Sequence, residues 1–284
     1  MFEVLSNEVL APDLHRLVVK APRVARARKA GQFVIVRADI GDERIPLTIG
    51  DADSEAGTIS LFIQAIGAST RKLVGIAPGG HIRDVAGPLG MATHLEKWGR
   101  AVCIGGGVGT AVLYPLVKAL EKTGNEITTI IGGRSASYVI LQNELKVLSK
   151  NLFVTTDDGS LGEKGLVTQV LARLLSDPEQ RPHVVFAVGP GPMMKAVAEM
   201  TRAEKIPTMV SLNPIMIDGT GMCGGCRVDV GGEVKFACVD GPEFDGHLVD
   251  FDLLRDRLGT YREQEQAQNH VQEQAKCKIG RGLA

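Results

Sequence analysis

Short apolar–polar alternations fill the first ninety-odd residues, at 2–5, 15–20, 32–37, 44–49 and 58–64, separated by Gly, Pro and Asp turns. A period of two marks half-buried strands, and short strands at this spacing predict a small antiparallel barrel. Beyond Trp98 the pattern changes. An apolar run at 101–104 meets a glycine turn at 105–109, then a helical stretch at 111–122 that Gly124 closes. Three more strand-then-helix units follow, 126–131 into 137–149, 152–156 into 165–175, and 184–188 into 192–204. Repeated β–α alternation predicts a parallel sheet covered on both faces. The predicted fold class is therefore α/β plus all-β: an N-terminal antiparallel β-barrel over 1–97, a central parallel-sheet unit over 98–210, a glycine- and cysteine-rich loop unit over 211–250, and a helical tail over 251–284.

Composition narrows the function classes. The chain has 284 residues, 44% of them hydrophobic, enough for a large core in two domains and an appendage. A formal net charge of −1 argues against nucleic acid or an anionic membrane as the main partner. The N-terminal stretch alternates like a first strand rather than a signal peptide, and no run approaches the ~18 apolar residues of a membrane span. Five cysteines, three of them clustered, suit a reducing cytoplasm better than a disulfide framework. Cys103 reads as a core residue and Cys277 as an exposed thiol, and the six histidines lack metal-ligand spacing.

The densest chemistry lies in Asp218-x4-Cys223-x2-Cys226-x11-Cys238. Three thiolates and one carboxylate so close in sequence read as the ligand cage of a [2Fe–2S] cluster, with Asp218 where a first cysteine would stand. The intervening glycines let a short loop turn its N–H groups inward. A Cys3Asp zinc site, a redox Cys-x2-Cys pair and a buried disulfide are the alternative readings.

Two further glycine loops follow strands. Gly105-Gly106-Gly107-Val108-Gly109-Thr110 opens the first helix of the second unit, where unpaired N–H donors and bare backbone suit a pyrophosphate. Gly189-Pro190-Gly191-Pro192-Met193 follows the fourth strand, at the carboxyl edge where such sheets bind ligands. Arg134, after the second strand, suits either a 2′-phosphate or plain solvent, and Asp157 with Asp158 reads equally as a turn and cap cluster.

A barrel, then a nucleotide unit carrying GGGVGTA and VGPGPMM, then a cysteine loop, resembles the ferredoxin–NADP reductase superfamily. Within it, SLNPIMIDGTGMCGGCR at 211–227 and FACVDGPEFDGH at 236–247 are most similar to flavin and [2Fe–2S] electron-transfer subunits. These are the subunits of dihydroorotate dehydrogenase and sulfhydrogenase and, closest, the small subunits of NADH-dependent reduced ferredoxin:NADP oxidoreductase, a group also named for sulfide dehydrogenase. Asp218 in place of a cysteine separates the last group from the dihydroorotate subunits.

The resemblance implies FAD on the barrel. Its Arg-x-Tyr-Ser/Thr stretch corresponds to Arg44, Pro46, Leu47 and Thr48, with leucine replacing the aromatic, the arginine one residue early, and Thr48 in the catalytic position near the flavin N5. Gly67, Ser69 and Thr70 correspond to a second phosphate loop, and Gly87 and Leu89 to the stretch leading out of the barrel. Gly105, Gly107, Gly109, Thr110, Gly189, Gly191 and Met193 correspond to the NAD(H) loops, joined by Arg134, Asp157 and Asp158. Val188 stands where plant-type reductases carry a cysteine, so the resemblance implies no thiol role in hydride transfer. Asp218, Cys223, Cys226 and Cys238 are the implied cluster ligands. The implied activity is an electron relay from NADH through FAD and the cluster to a larger partner flavoprotein bearing [4Fe–4S] clusters, reaching ferredoxin only indirectly. Electron bifurcation comes from the resemblance alone. The rival readings are a subunit serving dihydroorotate, sulfite or hydrogen chemistry, and a zinc-stabilised nucleotide-binding regulator.

Overall fold

The computed structural model describes residues 1–261 and Gln264. The first unit runs β1 (Phe2–Ala11), β2 (Leu14–Lys20), α1 (Pro22–Ala27), β3 (Phe33–Arg37), β4 (Ile45–Asp53), β5 (Thr58–Gln64), α2 (Ala68–Val74), β6 (His81–Ile82) and β7 (Asp84–Leu89). Its antiparallel sheet has the order β6-β1-β2-β5-β4-β3-β7 and curls until the two edge strands, consecutive in sequence, nearly close the barrel. Leu17 and Val19 on β2 and Ile59, Leu61 and Ile63 on β5 point inward at every second position, filling the interior with branched side chains.

The second unit alternates strand and helix: β8 (Arg100–Gly106), α3 (Gly109–Lys122), β9 (Glu126–Gly133), α4 (Gln142–Leu148), β10 (Asn151–Thr156), β11 (Glu163–Lys164), α5 (Val167–Ser176), β12 (Val184–Val188), α6 (Gly191–Ala203) and β13 (Thr208–Ser211). It is followed by the hairpin β14 (Arg227–Val230) and β15 (Glu233–Phe236), then β16 (Glu243–Asp245) and α7 (Phe251–Leu258). The large sheet has the order β11-β10-β9-β8-β12-β13-β16 and is parallel except for β16, which returns antiparallel to β13. Helix α3 buries Leu113, Leu116, Val117 and Leu120 against one face, and α5 buries Val167, Val170, Leu171 and Leu174 against the other. Both sets follow the spacing i, i+3, i+4, i+7 of a helix with one apolar stripe.

The units meet along α3. Ala11, Leu14 and Phe62 of the barrel share a buried cluster with Ala111 and Leu113 of α3. Beside it, Lys118 Nζ donates to both carboxylate oxygens of Asp51 on β4, at 2.9 and 3.1 Å.

Several boundaries differ from the pattern. The first strand runs to Ala11 rather than residue 5, because two register irregularities and a near-edge position leave most of β1 exposed and blur its alternation. The helix expected at 137–149 is a 3-10 turn at Ala136–Tyr138 and a separate α4, divided by Leu141 in the left-handed region at φ 56°. Helices α1 and α2 and strands β6 and β7 carry no periodicity long enough to read. Only Phe251–Leu258 of the expected tail helix, with its exposed neighbours to Tyr261, is described; His270 and Cys277 lie outside the described residues. Among the described residues, no helix is long and apolar enough to cross a membrane.

Glu243 on β16 is a buried carboxyl that accepts from Thr93 Oγ1 at 2.8 Å. Burial pushes it up to about 7, against the opposing hydrogen bond. The folded chain thus keeps a proton that a solvated glutamate releases near pH 4.3, so its contribution to stability is complete below that value and lost as pH rises through about 7. Glu243→Gln keeps the shape and the Thr93 contact without the charge. Its stability gain over wild type, from urea denaturation, should grow by on the order of 2 kcal/mol between pH 5 and pH 8. A gain that stays constant with pH would show that Glu243 does not titrate in this way.

Candidate functional site

A cleft of about 880 Å³ separates the barrel from the carboxyl edge of the parallel sheet. The barrel contributes Phe33 from β3, Pro46, Leu47 and Thr48 from β4, Gln64 from β5 and Thr70 from α2. Facing them are Gly107 and Gly109 of the first glycine turn, Gly189 and Met193 of the second, and Arg134 and Asp157 from the ends of β9 and β10. Ten of the residues read from the sequence are thereby brought to one surface, from segments more than 140 positions apart.

The first glycine turn presents bare backbone to the cleft. Gly107 adopts φ 55°, and its N–H donates to Gly132 O at 2.8 Å, which pins the turn to the next strand. A Cβ on Gly107 would meet no atom within 4 Å, so its backbone borders open cleft. No side chain caps α3, whose first turn is closed by backbone bonds from Thr110 N to Gly107 O at 3.1 Å and from Ala111 N to Val108 O at 3.0 Å.

Other expected residues stand elsewhere. Thr110 is buried behind the turn, where a Cβ on Gly105 would come within 2.9 Å of its hydroxyl. Ser69 donates to Glu43 at 2.8 Å, outside the cleft, and Arg44 is exposed just before β4. Gly67, where the Thr70 hydroxyl holds the backbone N–H at 3.0 Å, Gly87, Leu89 and Gly191 are likewise not in the lining. Asp158 turns back to accept from the Ser160 hydroxyl and N–H, at 2.6 and 2.9 Å, bonds that hold it below the usual carboxylate range.

The cleft also contains residues that no sequence motif marks as ligand contacts. Tyr138, Asn213 and Met216 all line it. Tyr138 lies under the Arg134 guanidinium, 5.8 Å from its ring centroid, and so fixes a side chain that sequence alone leaves in solvent. Its available signal is rarity, being one of three tyrosines. Asn213 and Met216 lie in the stretch that carries the family resemblance, but only the fold turns it toward the cleft.

From Met216 the chain passes directly to the cysteine loop. Gly219, at φ 76°, presses on the barrel so closely that a Cβ would come within 2.6 Å of Ile35 and 3.0 Å of Leu89. The four candidate ligands then fall into two pairs. Cys223 Sγ is 3.4 Å from Asp218 Oδ1, and Cys226 Sγ is 3.2 Å from Cys238 Sγ. Asp218 also accepts from Thr220 N at 3.0 Å and Cys223 N at 3.1 Å, and the first of these is the main cause holding its carboxyl below the usual range. Burial, followed by the contact with Cys226, pushes Cys238 up to about 12. Arg257 of α7 braces the loop by donating to Gly225 O at 3.2 Å.

Among the described residues, no three His, Cys, Asp or Glu side chains converge on one point. A single zinc needs four donors around one centre, whereas a [2Fe–2S] unit needs two ligands on each of two irons. Two pairs fit the second requirement. All four described cysteines are free thiols, so the disulfide alternative is not realised.

Comparison with known proteins agrees with this geometry. Residues 213–250 match the iron–sulfur cluster binding domain of dihydroorotate dehydrogenase B. The chain is 46% identical over 263 residues to a dihydroorotate dehydrogenase B (NAD(+)) electron transfer subunit homolog from Thermotoga maritima, covering 93% of this chain and 92% of that protein. A chain of NADH-dependent reduced ferredoxin–NADP oxidoreductase, solved for insight into flavin-based electron bifurcation, superposes with a TM-score of 0.90 at 44% identity, covering 95% of this chain and 97% of that one. The ferredoxin reductase of carbazole 1,9a-dioxygenase, at 20% identity and a TM-score of 0.61 over 72% of this chain and 65% of its own, shares the fold. Barrel, nucleotide sheet, paired ligand loop and these likenesses together place the chain in the family of dihydroorotate dehydrogenase B electron-transfer subunits, built on the ferredoxin-reductase fold.

Proposed function

We propose that this chain is the NAD(H)-facing electron-transfer subunit of a larger flavoprotein complex, with FAD in the cleft and a [2Fe–2S] cluster on Asp218, Cys223, Cys226 and Cys238. The observation that carries the reading is a shared wall: Phe33 lines the cleft and belongs to the same buried cluster as Cys226 and Cys238. When bound, the flavin supplies two-electron acceptance of hydride and the cluster supplies one-electron transfer.

Each protein group has a positional task. Pro46, Leu47 and Thr48 would form the barrel side of the flavin seat, with the Thr48 hydroxyl available to the reacting edge. Gly107 and Gly109, with the uncapped start of α3, would seat the nucleotide pyrophosphate against open backbone at the helix N-terminus. Gly189 and Met193 border the nicotinamide end, and Asp157 with the Tyr138-supported Arg134 borders the adenosine end. The apolar surroundings of Cys226 and Cys238 keep water from the cluster, and the Asp218 carboxylate supplies a harder donor on its exposed side.

The likeness to the NADH-dependent reduced ferredoxin–NADP oxidoreductase chain supports a bifurcating complex with a [4Fe–4S] partner and, through that partner, ferredoxin. The Thermotoga maritima relative's name supports a second reading, service to a dihydroorotate dehydrogenase. Asp218 favours the first.

NADH should bleach the bound flavin much faster than NADPH, and Gly107→Asp should raise the KM for NADH on the order of 10-fold or more by setting a carboxylate against the pyrophosphate. Equal stopped-flow rates for the two nucleotides would contradict the NAD(H) assignment. Cys226→Ala should lose iron and the EPR signal of the reduced cluster yet retain stoichiometric FAD, because Cys226 does not line the cleft. One zinc and no iron in anaerobically purified wild-type protein would overturn the cluster reading.

A further inference from the structure

Helix α7 ends against the cysteine loop. Its Asp250 cap accepts from Asp252 N and Leu253 N at 3.0 and 2.9 Å, Phe251 and Leu254 are buried in the same cluster as Cys226 and Cys238, and Lys195 of α6 donates to Asp252 at 2.8 Å. The helix is thus fixed to the nucleotide unit before it reaches the loop. From its last turn Arg257 Nη2 donates to Gly225 O at 3.2 Å. Arg227, the first residue of β14, lies against the preceding residue, where a Cβ on Gly224 would stand 3.1 Å from its Nη1. Two guanidiniums therefore rest on the two residues between Cys223 and Cys226, and with Cys223 they line a small pocket of about 340 Å³.

Among the described residues neither guanidinium pairs with a carboxylate, whereas Arg255 on the same helix pairs with Asp252 and Asp256 at 3.1 and 2.9 Å. The loop thus carries two positive charges with no partner of its own to balance them. Gly225, which Arg257 holds by its carbonyl, also donates its N–H to Cys223 Sγ at 3.4 Å. A [2Fe–2S] unit on three thiolates and a carboxylate is anionic when oxidised and gains one more negative charge when it takes up an electron. Fixed positive charge nearby favours the reduced form, and net charge and hydrogen bonds to the ligand sulfurs are among the quantities that set such potentials.

We infer that Arg257, with Arg227 beside it, is a positioning residue of the cluster loop: it holds the turn between Cys223 and Cys226 and offsets the charge gained on reduction, raising the reduction potential of the site. The inference rests on the cluster reading of the loop.

The test is an EPR-monitored redox titration of full-length, anaerobically purified protein carrying its iron and flavin. Arg257→Gln should shift the equilibrium against the reduced cluster by about threefold or more, a fall of ~28 mV or more for a one-electron couple. Arg257→Lys, which keeps the charge, should stay closer to wild type, and Arg255→Gln, which removes a carboxylate-paired charge from the same helix, should leave the potential unchanged. If Arg257→Gln loses its iron, Arg227→Gln serves in its place, with a fall in the same direction. Potentials equal to wild type in both glutamine variants, a rise in either, or a lysine variant displaced as far as the glutamine one would overturn the inference. Wild-type protein with no reduced-cluster EPR signal would overturn the cluster reading itself, and that outcome is visible before any variant is made.

Discussion

The arrangement depends on one close apolar contact, the seating of the cysteine loop against strand β3 of the barrel. Gly219 lies against Ile35 and Leu89 with no room for a side chain, and Cys226 and Cys238 are buried in the same cluster as Phe33 and Ile35. Burial of this kind is short-ranged and intolerant of added volume, because interiors are packed as densely as organic crystals. Phe33, which lines the cleft, and Ile35, which meets the cysteine loop, lie two residues apart on one face of β3, so a short apolar wall joins the cleft to the loop.

The cleft is held from its other side by α3, which has two tasks. Its buried stripe fastens the barrel to the parallel sheet through Ala11, Leu14 and Phe62, while its uncapped first turn faces the cleft. The Asp51–Lys118 pair lies along the same seam. A partly exposed ion pair contributes little beside the buried apolar area, on the order of 1 kcal/mol or less, so its main effect is on orientation. Any ligand held by the first turn of α3 is therefore positioned relative to the barrel by the packing of the same helix at Ala111 and Leu113.

The cleft has few charged side chains, in keeping with a nearly neutral chain, and offers open backbone at Gly107 instead. The charged residues that do line it are Asp13, Arg134 and Asp157, and two of the three are held by a neighbour, Gln64 for Asp13 and Tyr138 for Arg134.

The sequence by itself determined the barrel-then-sheet order, the two glycine turns and the Asp218–Cys238 spacing. Each of these is a local property: a period of two or of three to four, a glycine next to a strand end, or ligands within one loop. It did not reveal α1, α2, β6 and β7, which are too short to establish a period, nor the break at Leu141, which depends on a left-handed residue inside an apolar run. Tertiary structure decided which motif residues face the cleft. Thr110 and Asp158 fit their motifs in sequence yet turn away, one buried under its own turn and the other held by Ser160, while Asp13 and Tyr138 enter from outside any motif. It also decided that the four ligand side chains form two pairs rather than one quartet. Spacing limits how far apart ligands can lie, but the way they divide is set by where Gly219 meets the barrel and where the β14–β15 hairpin returns Cys238 beside Cys226.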